Sequence, residues 1–240
     1  MIILAKFEIK EPVFEGLVYW GVIGIVIVVL AVVMRKLLSV FPDKKWNLYT
    51  GVLLLLAVPA VLAKLGWLTN QDVRPSPFIM IPVTIIVASF GIAFSRFGKR
   101  LSIEVSVFLL VAIQMFRFPL ELVMHQAFER GIMPKMLSFE GLNFDILTGI
   151  GALLIVSIWK LRGAVSEKII WVWNVYGLGC LFMIFYIAIR SSPILRGWGD
   201  EPENVNTWVL FFPYIWLPTF LVVAAFSGHL ILTRKLLNRD

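Results

Sequence analysis

The chain has 240 residues, of which 60% are hydrophobic and 15% charged, with a net charge of +7. Soluble domains of this size are nearer half apolar, so the composition excludes an ordinary water-soluble globule. A single cysteine, Cys180, excludes an internal disulfide and reads as a small packing residue.

The apolar excess lies in blocks close to the ~20 residues that cross a ~30 Å hydrocarbon layer. In chain order the predicted spans are Val18–Met34, Leu48–Leu68, Phe78–Phe94, Ser102–Phe128, Phe144–Leu161, Ile169–Ile189 and Trp208–Leu232. The expected fold is all-α, one polytopic bundle of seven transmembrane helices in a single domain covering residues 1–240. Ahead of the first span stand Glu8, Glu11 and Glu15 rather than a basic stretch, so no signal peptide is expected and the span stays. Pro59, Pro82, Pro119, Pro213 and Pro218 fall inside spans and predict kinks. Two longer connections, about 130–143 and 190–207, carry the turn formers Pro134, Gly141, Pro193, Gly197, Gly199 and Pro202. No internal repeat is visible.

The basic residues sort by loop. One set of loops holds Arg35, Lys36, Lys44, Lys45, Arg96, Lys99, Arg100, Lys160, Arg162, Lys168, Arg234, Lys235 and Arg239. The other holds Lys6, Lys10, Arg74, Arg130, Lys135, Arg190 and Arg196 and is net acidic. Lys and Arg concentrate on the cytoplasmic side, which predicts an outside N-terminus and a cytoplasmic C-terminus in a multi-pass protein. Orientation thus accounts for the basic character. Membrane lipids, including anionic headgroups on the basic face, are the expected partners, with a membrane-protein partner or a homo-oligomer as further options and no nucleic acid. Trp20, Trp46, Trp67, Trp159, Trp171, Trp198 and Trp208 fall near span ends, where interfacial aromatics belong.

The fourth span carries Gln114, Arg117, Glu121, His125 and Glu129 at three- and four-residue steps, one face of a helix. Ionisable groups inside a span are costly and mark a functional site by default. Two readings compete: an internal Arg117–Glu121 salt bridge that serves packing, and a ligand or catalytic site in which carboxylates flank His125. Lys64, near the outer end of the second span, either snorkels to headgroups or faces the bundle. In the second case Lys64, Arg117, Glu121 and His125 line an outward-opening pocket, with Glu140, Asn143, Asp145 and Arg190 at its rim.

Inventory removes sharper chemistries. His125 near the outer end of span four and His229 near the inner end of span seven are separated by roughly 25–30 Å at ~1.5 Å per residue. A shared metal or haem is therefore disfavoured, as is a three-histidine zinc site. His125, Glu121 and Glu129 on one helix converge poorly on a metal. Span seven has no lysine in its apolar part for a retinal Schiff base, and no Gly-x-Ser-x-Gly elbow occurs. No metal or cofactor is expected. His229 reads as an interfacial cap of span seven, and Asn174 and Tyr176 as interhelical hydrogen-bonding residues.

Three stretches carry a resemblance: Phe116-Arg-Phe-Pro-Leu-Glu-Leu122 with Met136-Leu-Ser-Phe-Glu-Gly-Leu-Asn-Phe-Asp-Ile-Leu147; Trp173-Asn-Val-Tyr-Gly-Leu178; and Phe212-Pro-Tyr-Ile-Trp-Leu-Pro-Thr-Phe-Leu221 with His229. Over residues 114–235 the chain resembles a family of uncharacterised bacterial seven-span integral membrane proteins. The resemblance implies a bacterial inner membrane. It also implies a shared pattern that includes Arg117, Glu121, Asn143, Asp145, Asn174, Pro213, Pro218 and His229, and it transfers no mechanism. The favoured function is binding, sensing or transport of a small polar or amphipathic ligand. The alternatives are a membrane enzyme with Glu121 or His125 as acid–base and Arg117 or Lys64 stabilising an anion, and an accessory subunit of a membrane complex.

Overall fold

The computed structural model describes residues 7–238, so Lys6 and Arg239, counted in the charge bias, lie outside the described residues. The described residues are helical, with no β-strand among them. The helices are α1 (Gly16–Val40), α2 (Lys45–Lys64), α3 (Pro77–Phe94), α4 (Arg96–Glu104), α5 (Val107–Ala112), α6 (Arg117–Glu129), α7 (Ile146–Arg162), α8 (Glu167–Arg190) and α9 (Val223–Leu237). Six stretches are long and apolar enough to cross a membrane: Gly16–Val40, Pro42–Lys64, Pro77–Phe94, Val107–Glu129, Glu167–Arg190 and Leu217–Leu237. The fifth predicted span corresponds to α7, which has 17 residues.

Three helices, α1, α4 and α5, begin at a side-chain cap. Glu15 caps α1 by accepting the Val18 N–H at 2.7 Å, and Val18, Val22, Val26 and Val29 then form its buried stripe. Ser95 caps α4 and Ser106 caps α5, accepting from Gly98 and Leu109 respectively. These two serines explain a boundary difference. The fourth span was expected to start at Ser102, but Ser102–Glu104 closes the short α4, whose exposed residues include the basic ones, and the apolar run restarts at Val107. Basic side chains satisfy carbonyls at helix C-termini: Arg234 donates to Ala93 and Ser95 at the end of α3, and Lys235 to Ser102 in α4.

The prolines act differently from simple kinks in three places. Pro119 cannot donate to the carbonyl four residues back, and the adjoining Ile113–Phe116 is wound as a 3₁₀ turn between α5 and α6. Pro218 lies in a π-helical stretch, Leu217–Val222, which leads directly into α9. Pro213 is outside any helix. The seventh span, expected from Trp208, therefore begins at Leu217, and Trp208–Leu210 is a separate 3₁₀ turn.

The connection between α6 and α7 dips into the bundle. Asn143 bonds Glu121, which lies eight residues before the end of α6, about 12 Å down the helix at ~1.5 Å per residue. Irregular backbone at that depth must satisfy its own polar groups. Here Gly141 N–H donates to Ser138, Leu142 N–H to Met136 and Asn143 N–H to Ser138. α7 therefore starts below the end of α6 and is shorter than α1, α2, α3 and α8. Its close seat on α6 depends on Gly149, where a Cβ would overlap the backbone nitrogen and Cα of Phe118.

Candidate functional site

Arg117 stands at the first turn of α6 and is 1% exposed. Its guanidinium forks onto Asp145, with Nε donating to Oδ2 at 2.6 Å and Nη2 donating to Oδ1. Nη1 meets His229 Nε2 at 2.8 Å. Arginine has only donors, so Nε2 accepts and the imidazole is the neutral Nδ1–H form. That hydrogen is donated to Asn174 Oδ1 at 2.8 Å, Asn174 Nδ2 donates to Thr233 Oγ1 at 2.7 Å, and Thr233 returns a bond to the His229 carbonyl. Every donor and acceptor along this arm is of the right kind. Gly177 makes room for it, since a Cβ there would strike the His229 ring.

The other arm runs through Asn143. Its Oδ1 accepts the Asp145 N–H at 3.1 Å. Its Nδ2 lies 2.9 and 3.0 Å from the two Glu121 oxygens and 2.9 Å from the Leu137 carbonyl. One amide with two hydrogens thus serves three acceptors, and Glu121, 1% exposed, has no other hydrogen-bond donor among the described residues. Thr233, Asn174, His229, Arg117, Asp145, Asn143 and Glu121 form one continuous polar chain through α9, α8, α6 and the N-terminus of α7.

This chain forms part of the wall of a cavity of about 120 Å³. Among the described residues Arg117, Glu121 and Asp145 are its only charged lining residues, and the rest is almost wholly apolar, from α3, α6, α8, the π-helical stretch and α9. Asn206 and Trp208 also line it; they are 5% and 2% exposed, and Asn206 Oδ1 and Trp208 Nε1 are buried with no hydrogen-bond partner. The volume matches roughly four waters at ~30 Å³ each, or one small organic molecule. The walls come from the first half of α3, α6 up to Met124, the second half of α8 and the start of Leu217–Leu237, which alternate in chain direction and so share one end of the bundle.

A family model described as a domain of unknown function, DUF8737, matches residues 75–237. The chain belongs to the DUF8737 family. The DUF8737 segment contains every residue of the polar chain and every lining residue of the cavity, and leaves out α1, α2 and Lys64. No curated protein matches this DUF8737 chain, and no solved structure does.

The predicted site residues divide into three groups in this DUF8737 member. Arg117, Glu121, Asn143 and Asp145 come together, although Asn143 and Asp145 were expected at an exposed rim; the dipping connection buries them. The expected Arg117–Glu121 bridge is absent. An Arg placed four residues before a Glu is the weaker helical orientation, and Asp145 offers Arg117 a two-pronged match. His125 and Glu140 form a second group: Nε2 lies 3.6 Å from both Glu140 and Glu129, and the ring stacks on Phe139 with centroids 4.4 Å apart. Glu121 does not flank this imidazole. Lys64 and Arg190 join neither group. Lys64 is exposed and sits 4.7 Å from the Phe212 ring centre, and Arg190 lies over Trp198 at 5.4 Å.

His229 corrects a second expectation. It is 0% exposed and central rather than an interfacial cap, because α9 continues eight residues beyond it to Leu237. The apolar run Leu230–Leu232 after the histidine was the available signal. Trp208, expected in an interfacial belt, is buried at the cavity instead. For Asn206 and Trp208 as lining residues no sequence signal existed, since an irregular segment has no periodicity to read.

Proposed function

We propose that this protein binds a small amphipathic molecule within the membrane, as a sensor, binder or transporter, in the cavity beside Glu121. The observation that carries the reading is a buried carboxylate served by one shared amide, set in an apolar wall near two unpartnered polar atoms. Buried polar groups are ordinarily paired, and an apolar chamber with a few convergent polar groups is the usual form of a small-molecule site. The apolar wall takes the ligand body and the Glu121 end takes its polar head, with water beside it.

In this reading α7, completed by the dipping connection, is a seventh crossing. The Lys and Arg bias then puts the N-terminus and the cavity end outside and the C-terminus in the cytoplasm of a bacterial inner membrane. A topology reporter fused at the N-terminus should be active only on the outer side; cytoplasmic activity defeats the orientation.

Ala188 lines the cavity, and a phenylalanine there fills it. The protein purified from native membranes should carry a small molecule, detected by untargeted mass spectrometry, that Ala188→Phe lacks. Identical sets of bound compounds in the two proteins would defeat the proposal.

A further inference from the structure

We infer that the ligand is a small organic cation, a primary or secondary ammonium on a short apolar body, and that it replaces a proton at Glu121. This rests on the cavity reading above and names its ligand class.

The argument starts from charge. Arg117 brings the single positive charge of the cavity wall among the described residues and is committed to Asp145 through both prongs of its fork. His229 is neutral, because its Nε2 lone pair faces the Arg117 Nη1–H group. Glu121 is left as one negative charge without a counterion, and an unpaired ion in an apolar interior either neutralises or finds a partner. The groups facing it are few. They are Arg117 from its own helix, Asn143 from the dipping connection, Asp145 at the head of α7, and His229 acting through Arg117, while His125, one turn on, turns to Glu129 and Glu140. Neither α3 nor α8 adds a charged group to the wall. With a proton on Glu121 the empty cavity is neutral. With the proton gone, one monovalent cation restores neutrality. An anion would meet two carboxylates and an arginine already engaged.

Geometry selects the kind of cation. Asn206 Oδ1 is a buried acceptor without a donor, and an ammonium with N–H groups supplies one where a quaternary ammonium has none. Phe78, Phe116, Phe185 and Trp208 line the same space, and aromatic rings attract cations. The volume of about 120 Å³ limits the apolar body to a few carbons.

The test uses the full chain in detergent micelles with propyl-, butyl- and hexylammonium, and with the matching alkanols and alkanoates as neutral and anionic controls. Thermal stabilisation should require at least tenfold less ammonium than alkanol or alkanoate. Each ammonium bound should release about one proton into a weakly buffered solution, so apparent affinity rises about tenfold per pH unit where Glu121 holds the proton. Glu121→Gln should abolish the preference for ammonium over alkanol and the proton release. Alkanols that stabilise as well as ammonium ions overturn the cation inference while leaving the cavity reading standing. No stabilisation by any of the compounds overturns both. Ammonium binding with no proton release overturns the exchange. If Glu121→Gln does not fold, the proton count and the ammonium-to-alkanol ratio of the unaltered protein decide the matter.

Discussion

Arg117→Met should remove about 3–5 kcal/mol of stability, because it strands the Asp145 carboxylate in the interior and leaves His229 Nε2 without its donor. The folded protein should fall sharply in yield and melt far lower in detergent. A buried ion pair is often replaceable by apolar groups at little net cost even when each half alone is not. The double variant Arg117→Met/Asp145→Leu should therefore recover a large part of the loss. A double-mutant cycle on melting temperature and denaturant midpoint measures the coupling. Additive losses would mean that the two side chains do not form the pair described here. The cycle separates the structural role of the pair from the ligand role assigned to Glu121, since it leaves Glu121 and Asn143 in place.

Asn143→Ala should be nearly as damaging, although it removes a neutral side chain. Three buried groups lose their partner together: the Glu121 carboxylate, the Leu137 carbonyl and the Asp145 N–H. At about 1–3 kcal/mol for each stranded group, the loss is roughly 3 kcal/mol or more. The damage should be local first. The side chain ties the dipping connection to α6, so limited proteolysis should cut between residues 130 and 145 in the variant well before the helices are attacked. Cleavage elsewhere with this connection still protected would show that its anchoring lies outside Asn143.

These two residues also show where sequence reasoning reached and where it stopped. The stripe Gln114, Arg117, Glu121, His125 is visible as spacing alone, and its first three members are buried. Spacing on one helix proposes only neighbours on that helix, so it offered Glu121 to Arg117 and to His125. The bonded partners are 28 residues away at Asp145 and 112 away at His229 for Arg117, and in the following connection for Glu121. Asn143 and Asp145 read as loop residues because Gly141 and Pro134 mark a turn; nothing in the composition says that the turn folds inward. The fourth and seventh spans were misplaced at their starts for a related reason. Hydropathy measures greasiness over a window, whereas helix starts are set by single groups such as Ser106 and Pro218.

Composition and period therefore settle what is local: helical structure, apolar stretches able to cross a membrane (seven by hydropathy, six of them as helices long and apolar enough among the described residues), and the ionisable residues they carry. Those features depend on hydrophobicity and on a fixed rise and turn per residue, both written along the chain. Which charge meets which, that Asp145 rather than Glu121 receives Arg117, and that Glu121 is left beside an apolar space depend on the depth and rotation of packed helices. Distances between distant segments come into being only when the bundle closes, so only the tertiary structure could decide them.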